Sequence, residues 1–339
     1  MIKEAIGNLV SGNSLTMQEA SSVMEEIMEG QATQAQLGAF LVALRIKGET
    51  PEEVAGLASV MRARAMKVSL SQPAIDIVGT GGDGSNTFNI STTSAFVMAG
   101  AGLKVAKHGN RAMSSRCGSA DVLEALGVKI ELTPEQVKHC VEDVGIGFMF
   151  AQAFHPAMKH AAAPRREIGV RTVFNILGPL TNPAGAQYQV IGVPSQELGD
   201  KIAAALCHLD IKRALVVHGL SGIDEVSICG SSLLWEVENG KVVISRKNVS
   251  PEDFGMKAVP SAEIQGGMPA ENAEMLRSVL GGKKSARRDV ALLNAAAGIY
   301  VGGLAGSLQD AVGLADDSID SGRALSKLDQ LIEYSRKLA

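Results

Sequence analysis

Four glycines and several small polar residues crowd into one short stretch of the chain. The glycines are Gly79, Gly81, Gly82 and Gly84. Because glycine has no Cβ, the backbone there can turn sharply and bring its N–H groups close to an anion. The Asn-Ile-Ser-Thr run at 89–92 then opens a helical pattern, where free amides and hydroxyls suit a phosphate. The stretch therefore predicts a site for a phosphorylated ligand.

The same glycines match the dinucleotide-binding fingerprint Gly-x-Gly-x-x-Gly at positions 79, 81 and 84. That fingerprint needs a helix that begins at once and an acidic residue after the next strand, which holds a ribose. Here polar residues delay the helix, and a cation, Lys107, stands where the acid would be. A P-loop is excluded because no Gly-Lys-Ser or Gly-Lys-Thr follows. A dinucleotide oxidoreductase and a purely structural turn stay as alternatives.

A second polar cluster lies at 107–119. It contains two glycines, three serines, Asn110 and three cations. Because loops after neighbouring parallel strands face one crevice, we expect this segment to meet the glycine-rich stretch there. Basic side chains opposite backbone donors suit a ligand with two phosphate groups, whereas the plain alternative is a solvated basic loop.

Two smaller groups of residues suit a metal ion and a carboxylate. Asp224 and Glu225 are adjacent hard oxygen ligands of the kind that hold Mg²⁺ together with substrate phosphates, although such a pair is often only a surface feature. Arg165 suits bidentate capture of a carboxylate, but Arg166 and Arg171 qualify equally, and all three could be surface charges. Four histidines without metal-ligand company are interpreted as surface or packing residues: His139, His155, His160 and His208.

The N-terminal stretch, 1–66, is predicted to form consecutive short helices. Its apolar residues recur at spacings of three and four, and capping boxes mark three helix starts. The boxes pair Thr16 with Glu19, Thr33 with Gln36, and Thr50 with Glu53. No strand pattern interrupts this stretch, which predicts a small all-helical N-terminal domain over residues 1–70.

From residue 71 onward, short apolar runs alternate with helical patterns. The predicted strands are 75–78, 103–106, 147–150, 189–193, 214–218, 226–229, 233–238 and 241–245, and the helices include 91–99, 120–126 and 196–209. Asn239-Gly240 marks a hairpin between the last two strands. This alternation predicts a large α/β domain over 71–339, with a central, mostly parallel sheet flanked by helices.

Composition narrows the class of protein. The 339 residues are 46% apolar and 20% charged, which excludes a mainly disordered or collagen-like chain. A net charge of −4 is opposite in sign to that of a general nucleic-acid coat protein, so we expect no nucleic-acid partner. The four cysteines lie far apart, which favours reduced thiols and a cytoplasmic location. The Ala- and Gly-rich stretch 290–308 is interpreted as a buried helix, so no membrane partner is expected.

Several long motifs, in order along nearly the whole chain, resemble the anthranilate phosphoribosyltransferase family of tryptophan biosynthesis. The motifs are Gly79-Thr-Gly-Gly-Asp-Gly84 with Asn89-Ile-Ser-Thr92, Lys107-His-Gly-Asn-Arg111, Gly118-Ser-Ala-Asp-Val-Leu-Glu124, the run from Arg171 to Pro183, and Asp224-Glu225. Several motifs in the expected order are more specific than any single glycine loop. The resemblance implies the fold shared with pyrimidine nucleoside phosphorylases, in which a helical segment near 165–185 joins the small domain. It also implies a homodimer formed through the helical domains.

The resemblance further implies a reaction, in which the ribose 5-phosphate unit of phosphoribosyl pyrophosphate passes to the amine of anthranilate and pyrophosphate is released. By matching motif, Lys107, Arg165, Asp224 and Glu225 would serve catalysis. Two Mg²⁺ ions per subunit would be bound by Ser91, Asp224 and Glu225. The residues implied to bind the substrates are Gly79, Gly82, Asp83, Thr87, Asn89, Ile90, Ser91, Thr92, Lys107, His108, Gly109, Asn110, Arg111, Ala112, Met113, Ser114, Ser115, Ser119 and Arg165.

Within that set, Asn110 and Arg165 would hold anthranilate, with His108 and Gly79 beside it, and the loop 107–115 would close over the donor. Departing pyrophosphate concentrates negative charge while the ribosyl carbon becomes cation-like. We therefore hypothesise that catalysis rests on positioning and leaving-group stabilisation, with no essential general base.

One departure from the family pattern is Pro164, where a larger aliphatic residue is expected. Two alternatives of the same fold stay open. One is a nucleoside phosphorylase, which would need no Mg²⁺, and the other is a non-catalytic relative that binds nucleic acid.

Overall fold

Four helices form an N-terminal bundle. The computed structural model describes residues 1–112 and 115–339. Its first helices are α1 (Ile2–Val10), α2 (Met17–Met28), α3 (Gln34–Lys47) and α4 (Pro51–Arg64). The three capping boxes predicted from the sequence are confirmed, so threonine side chains satisfy amide groups at the starts of α2, α3 and α4.

A seven-stranded sheet forms the centre of the remaining chain. Its strands are β1 (Ile75–Gly79), β2 (Val105–Gly109), β3 (Ile146–Phe150), β4 (Tyr188–Gly192), β5 (Arg213–Gly219), β6 (Ser232–Glu238) and β7 (Lys241–Val249). They lie in the order β3-β2-β1-β4-β5-β6-β7. Strands β1 to β5 pair in parallel, and β6 and β7 add an antiparallel hairpin. The chain builds outward from β1 to β3 and then returns to the other side of β1, so the topological switch point lies between β1 and β4.

Helices cover both faces of this sheet. They are α5 (Ile90–Gly100), α6 (Ser119–Leu126), α7 (Pro134–His139), α8 (Ala151–Phe154), α9 (Lys159–Ile168), α10 (Phe174–Leu177), α11 (Gln196–Leu206), α12 (Pro269–Leu280), α13 (Ala286–Val301), α14 (Leu308–Asp320) and α15 (Arg323–Leu338). Helices α5, α13, α14 and α15 form one layer, whereas α11 packs on β5 and β6 and contacts α4 of the bundle. The buried apolar residues form two cores, one that includes α5, α13 and α15 and one that includes the bundle and α11. On β5, Leu215 and Val217 belong to the former core, and Ala214 and Val216 belong to the latter. This is the period-two alternation of a strand that is buried on both faces.

The apolar stretch near the C-terminus is part of this interior. Helix α13 is buried along most of its length and confirms the predicted buried helix up to Val301. Residues 302–307 of the predicted stretch 290–308 leave the helix and form a partly exposed turn. No helix within the described ranges is long and apolar enough to cross a lipid bilayer.

The fold class predicted from the sequence is confirmed, with corrections in three strands. Strand β2 begins at Val105 and extends to Gly109, so Lys107 lies within a strand and not on the loop after it. The prediction of a strand at 226–229 is wrong, because side chains bind the backbone there: Asn294 Oδ1 accepts the Val226 N–H at 2.9 Å. The hairpin at 239–240 is confirmed, and its second strand continues to Val249.

Candidate active site

A cleft lies at the carboxyl ends of the central strands, around the switch point. The glycine loop (residues 79–84) follows β1, the basic loop (residues 110–119) follows β2, and the acidic turn (residues 220–225) follows β5. The Gly81 amide donates to Asp224 Oδ2 at 2.7 Å across 143 residues of sequence. Asn89 Nδ2, just past the glycine loop, donates to the Cys117 carbonyl at 3.2 Å. Contacts of this kind bring the three separated segments together.

Two glycines make room for Asp224. Gly79 ends β1 and is paired with Gly192 at the end of β4. A Cβ on Gly79 would lie 2.2 Å from Asp224 Oδ2, and a Cβ on Gly192 would lie 1.6 Å from the Asp224 carbonyl oxygen. The sequence marked Gly79 as a substrate contact, and the structure adds a second reason for a glycine there, since any side chain would displace the acid.

Three carboxylates converge beside these glycines: Asp83, Asp224 and Glu225. Burial, together with the charge of Asp83, raises the pKa of Asp224 to about 6. Burial, followed by the charges of Asp224 and Asp83, raises the pKa of Glu225 well above its usual value. Carboxylates that repel one another in a partly dry site are stabilised by a bound cation.

The set of oxygen donors in the cleft fits Mg²⁺ shared with a phosphorylated ligand. Mg²⁺ usually takes one or two carboxylates from a protein and fills its other positions with water and substrate phosphates. In the part of the chain that the structure describes, no group of three His, Cys, Asp or Glu is arranged to hold a metal ion. Ser91 lies close to the acids: its backbone N–H hydrogen-bonds to the Glu225 carboxyl group and opposes the rise in the pKa of that group.

Lys107 is a cation buried under the cleft. Its side chain is 3% exposed, and Nζ donates to the Ile77 carbonyl at 2.6 Å. Burial lowers the pKa of the ammonium group, and the negative charge of Asp76 opposes that shift. Asp76 is itself buried and accepts the His108 N–H at 3.2 Å and Asn182 Nδ2 at 2.7 Å. Asp76 and Asn182 were not predicted as site residues; an acid inside an apolar strand was the available signal for Asp76.

The glycine loop presents amide groups without acceptors. The N–H groups of Gly82, Asp83 and Gly84 donate no hydrogen bond to any of the described residues. Helix α5 starts at Ile90, and the Thr92 amide in its first turn has no acceptor among the described residues. Successive free N–H groups beside a helix N-terminus form an anion site, which suits the phosphate groups of a diphosphate.

Internal contacts hold the segment 87–92 in place. Asn89 Oδ1 accepts from Asn272 Nδ2 at 2.9 Å, which ties the start of α5 to α12. Thr87 forms a β-bridge with Gln265. Ile90 and Thr92 are each 1% exposed, so the side chains of these two predicted substrate contacts lie in the interior and only their backbone groups can reach a ligand.

Arg111 in the basic loop is engaged with helix α6. Its guanidinium donates to Asp121 Oδ1 at 3.2 Å and to Glu124 Oε1 at 3.0 Å. The same group lies 5.4 Å above the centre of the Phe150 ring. In this structure Arg111 therefore braces the loop against α6.

Other predicted residues make contacts at the two described ends of the basic loop. A Cβ on Gly109 would lie 2.2 Å from Ser119 Oγ, and that hydroxyl donates to the Asn110 carbonyl at 3.3 Å. The Ala112 N–H donates to an Asp121 carboxylate oxygen at 2.9 Å. Asn110 and Ser115 are exposed. Met113 and Ser114, also predicted to bind substrate, lie outside the described residues.

Arg165 lies on helix α9. Its guanidinium lies 5.0 Å above the Phe174 ring, and burial lowers its pKa. No carboxylate of the described residues pairs with it, in contrast to Arg111. A half-buried guanidinium that stacks on an aromatic ring suits an aromatic carboxylate as its partner. Pro164, the departure noted in the sequence, lies inside α9 and is buried.

Two histidines face each other below the cleft. The His108 and His155 ring centroids are 5.1 Å apart, and the Nε2 atom of each is buried without a partner among the described residues. Each ring hydrogen-bonds to a backbone carbonyl, that of Gly178 for His108 and that of Thr181 for His155. Burial lowers the pKa of His108 to about 3 and that of His155 to about 4, so both rings are neutral near pH 7. His155, interpreted from the sequence as a surface or packing residue, is buried and packs against His108.

Arg171 also reaches the cleft, which the sequence could not distinguish from a surface charge. Its guanidinium donates to the carbonyl oxygens of Gly81 and Gly82. Asn294, on α13, is a further missed residue, because it binds both backbone groups of Val226 at 2.9 Å and so supports the acidic turn. A single polar residue in the apolar run 290–301 was its only signal.

Two family models match the chain. The helical bundle domain of a glycosyl transferase family matches residues 3–65, and the a/b domain of a glycosyl transferase family matches residues 71–325. The second match alone covers more than half of the chain.

Highly identical curated relatives are anthranilate phosphoribosyltransferases. The protein of Dehalococcoides mccartyi is 62% identical over 339 residues, covering 100% of this chain and 99% of the relative. The protein of Chloroflexus aggregans is 57% identical over 336 residues, covering 99% of this chain and 98% of the relative.

Similar solved structures carry the same name. The Thermus thermophilus enzyme superposes with a TM-score of 0.92 at 45% identity, covering 98% of this chain and 99% of that one. The Saccharomyces cerevisiae enzyme in complex with PRPP and Mg has a TM-score of 0.91 at 30% identity, and the match covers 99% of this chain and 98% of that one. The same yeast enzyme in complex with 4-fluoroanthranilate has a TM-score of 0.88 at 29% identity, and the match covers 99% of this chain and 98% of that one.

Proposed function

The chain belongs to the anthranilate phosphoribosyltransferase family, and from this premise we propose how its cleft carries out the family reaction. That reaction transfers the phosphoribosyl group of 5-phosphoribosyl 1-pyrophosphate to the amine of anthranilate, giving N-(5-phosphoribosyl)anthranilate and pyrophosphate. It is the second step of tryptophan biosynthesis from chorismate. The observation that carries the proposal is the junction of the glycine loop with Asp224, since it places free loop amides beside acidic metal ligands.

We propose that the donor lies along the glycine loop with its phosphates against the free amides. Lys107 brings a buried positive charge to the same place, held at Ile77 O and 3.4 Å from Ser91 Oγ. Ser91, Asp224 and Glu225 would hold Mg²⁺, which when bound neutralises charge on the departing pyrophosphate. We propose two ions per subunit, because three mutually repelling carboxylates meet there.

We propose that anthranilate lies between Arg165 and the end of β2. The half-buried guanidinium, without an acidic partner in the described chain, would bind the carboxylate of anthranilate. Asn110 would contact the same molecule from the basic loop. Gly79 and His108 would line the side toward the ribosyl carbon, where neutral imidazole adds no charge.

The residues of the cleft favour a reaction without a strong base. The bond between the ribosyl carbon and the pyrophosphate oxygen breaks, the amine nitrogen bonds to that carbon, and the surplus amine proton leaves to solvent. His108 is a poor general base because its pKa is about 3. The chain's own contribution is to hold both substrates in line and to meet the negative charge with amides and Lys107.

The decay of anthranilate fluorescence on mixing with phosphoribosyl pyrophosphate and Mg²⁺ tests this function. We expect Mg²⁺-dependent decay in the parent protein and a loss of at least about 100-fold in Asp224→Asn. Asp253→Asn, which changes an acid in a surface turn far along the chain, serves as the control. An unchanged signal with the parent protein at high concentration would remove the proposed function. No observation favours the nucleoside phosphorylase, dinucleotide or nucleic-acid-binding alternatives.

We further propose that the protein is a cytoplasmic homodimer, with a helical domain over 1–70 and an α/β domain over 71–339. The helical segment near 165–185 would belong with the bundle, because α9 packs against α2 and α3. Ile46 and Val42, one turn apart on α3, are 81% and 37% exposed, and Val10 at the end of α1 is 74% exposed. These exposed apolar side chains support an interface between the bundles of two copies.

A further inference from the structure

Arg171 reaches from the segment between α9 and α10 to the glycine loop. Its Nη1 donates to the Gly82 carbonyl at 2.7 Å, and its Nη2 donates to the Gly81 carbonyl at 2.8 Å. Bridging two neighbouring carbonyls uses the fixed fork of donors that distinguishes arginine from lysine. The contact spans about ninety residues of sequence, so it is a tertiary feature and not a consequence of local chain geometry.

The bonds from Arg171 decide which way the loop amides point. In a trans peptide the C=O and the N–H point in opposite directions, and the described chain contains no cis peptide bond. With the Gly81 and Gly82 carbonyls turned to Arg171, the N–H groups of Gly82 and Asp83 point to the opposite side. Neither N–H has an acceptor in the part of the chain described.

Asp224 provides the second anchor of the loop. It accepts the Gly81 N–H at 2.7 Å, so the Gly81 residue is held through its amide by one segment and through its carbonyl by another. Gly81 and Gly82 have φ values of +69° and +73°, which side chains rarely adopt. A Cβ on Gly82 would also lie 1.9 Å from Arg171 Nη1. The loop shape and the arginine therefore depend on each other.

The backbone around Arg171 is fixed, although the side chain is exposed. Gly169 ends α9 in the left-handed region at φ +68°. The Thr172 N–H donates to Asn175 Oδ1 at 2.9 Å where α10 begins, and Thr172 is 5% exposed. Arg171 thus projects from a defined turn, and its two hydrogen bonds are geometrically preset.

We propose that Arg171 is a positioning residue of the donor site, which turns the Gly82 and Asp83 amides toward the pyrophosphate group by bridging the two glycine carbonyls. The proposal rests on the proposed function. Arg171 acts through the loop and does not itself contact the reacting atoms. Losing it leaves Lys107 and the acidic turn in place but frees the loop peptides to rotate, so donor affinity falls while acceptor affinity stays.

Steady-state kinetics with Arg171→Ala, Arg171→Lys and Arg166→Ala test the proposal. We expect Arg171→Ala to raise the KM for phosphoribosyl pyrophosphate about 10- to 50-fold, since two charge-assisted hydrogen bonds are lost. The KM for anthranilate should change less than about twofold. Arg171→Lys should recover little, because one ammonium group cannot bridge both carbonyls in the same geometry. Arg166→Ala removes an exposed neighbouring cation and should match the parent.

A merely structural role is separated by binding and stability measurements. Titration of each variant with inorganic pyrophosphate and Mg²⁺ should show the same loss of affinity for Arg171→Ala, at a melting temperature within a few degrees of the parent. Restoration of donor KM by Arg171→Lys to within about twofold would overturn the proposal, because it would show that charge alone matters. Equal rises in both KM values would overturn it as well. Failure of the proposed function would instead appear as an inactive parent protein.

Discussion

At the scale of single residues, the cleft brings together charges that water normally separates. Lys107 is 3% exposed, Asp76 is fully buried and Glu225 is 9% exposed. The attraction among them offsets part of the cost of burial only while the geometry is kept. Substituting Lys107 therefore leaves two buried acids without a counter-charge, whereas loss of either acid leaves one ion pair. The two neutral histidines, and Arg165 with no acidic partner among the residues described, add groups whose protonation or pairing can be measured directly.

The histidine pair predicts that stability falls in mild acid. Because burial lowers the pKa of His108 to about 3 and of His155 to about 4, the unfolded chain takes up protons below about pH 6.5 that the folded chain does not. Stability from each neutral ring is complete above that pH and is lost as the pH falls. Between pH 7 and pH 5 the free energy of unfolding should fall by about 2 kcal/mol per histidine.

Urea unfolding at both pH values measures the effect of the histidine pair. His155→Asn should lose about 2 kcal/mol less than the parent between pH 7 and pH 5. His160→Asn, which changes an exposed histidine, should behave as the parent does. An identical pH dependence in parent and His155→Asn would show that His155 is not held neutral by burial.

Substitution of Arg165 tests the proposed contact with the acceptor carboxylate. Arg165→Ala should raise the KM for anthranilate about 10- to 100-fold through loss of a charged hydrogen-bond pair, with the donor KM nearly unchanged. Arg166→Ala on the same helix is the matched control. Anthranilamide, which lacks the negative charge, should be a poor acceptor for the parent and an equally poor one for Arg165→Ala. A further loss with anthranilamide in the variant would contradict charge pairing.

The sequence identified the residues whose chemistry is visible from their type. Lys107, Asp224 and Glu225 were predicted because cations and adjacent acids after apolar runs are unusual. Arg165 and Arg171 could not be told apart, since what distinguishes them is the ring or carbonyl each meets far along the chain. His155 is a packing residue, as interpreted, but its contact with His108 has no local signal in the sequence.

At the scale of elements, helix α13 supports a loop that it does not belong to. Asn294 accepts the Val226 N–H and donates to the Val226 carbonyl, both at 2.9 Å, across 68 residues. Val226 directly follows the acidic turn. Helix α13 packs through its apolar residues, and through Asn294 it also fixes the position of the acidic turn beside the glycine loop.

Removal of this clamp should weaken metal use more than it weakens the fold. Asn294→Ala leaves two buried backbone groups unpaired, which costs about 1–3 kcal/mol of stability. We expect the Mg²⁺ concentration for half-maximal activity to rise roughly tenfold, as the acidic turn loosens. Ser94→Ala removes another buried hydrogen bond to α13, to the Ala291 carbonyl at 3.0 Å, and should lower stability without changing the Mg²⁺ requirement. An equal Mg²⁺ shift in both variants would contradict the clamp.

Elements were predictable where local signals set them. Threonine caps started α2, α3 and α4 as expected, because the capping bonds lie within three residues. The segment 226–229 has the apolar alternation of a strand, yet its backbone partner is Asn294, which no local pattern contains. Strand β2 extends past its apolar run to include Lys107. Its polar groups find acceptors on β1, since Lys107 Nζ donates to the Ile77 carbonyl and the His108 N–H donates to Asp76 Oδ1.

At the scale of the whole molecule, the cleft and the exposed apolar residues of the bundle lie on different parts of the chain. The glycine loop, basic loop and acidic turn lie on one sheet, whereas the exposed apolar residues Val10, Val42 and Ile46 lie on the bundle. The proposed dimer interface is thus remote in the fold from the strand ends that carry the site. Association and catalysis should be separable by substitution.

Ile46→Glu should produce an active monomer. A charge placed on an apolar interface core is strongly unfavourable, so the molar mass by light scattering should fall from twice 35.3 kDa to 35.3 kDa. Activity per chain should stay within about twofold of the parent. Leu314→Glu, at a 38% exposed leucine on α14, should leave the dimer intact. A parent protein that is already monomeric would contradict the proposed homodimer.

The central place of β1 has a consequence for synthesis. This strand pairs with β4, so during synthesis one edge of residues 75–79 has no partner until residues 188–192 have been made. The acids at 224–225 and the clamp at Asn294 leave the ribosome later still. A nascent or prematurely terminated chain therefore exposes an apolar strand edge that phosphoribosyl pyrophosphate cannot protect. That edge is open to chaperones and to proteases until β4 has been made.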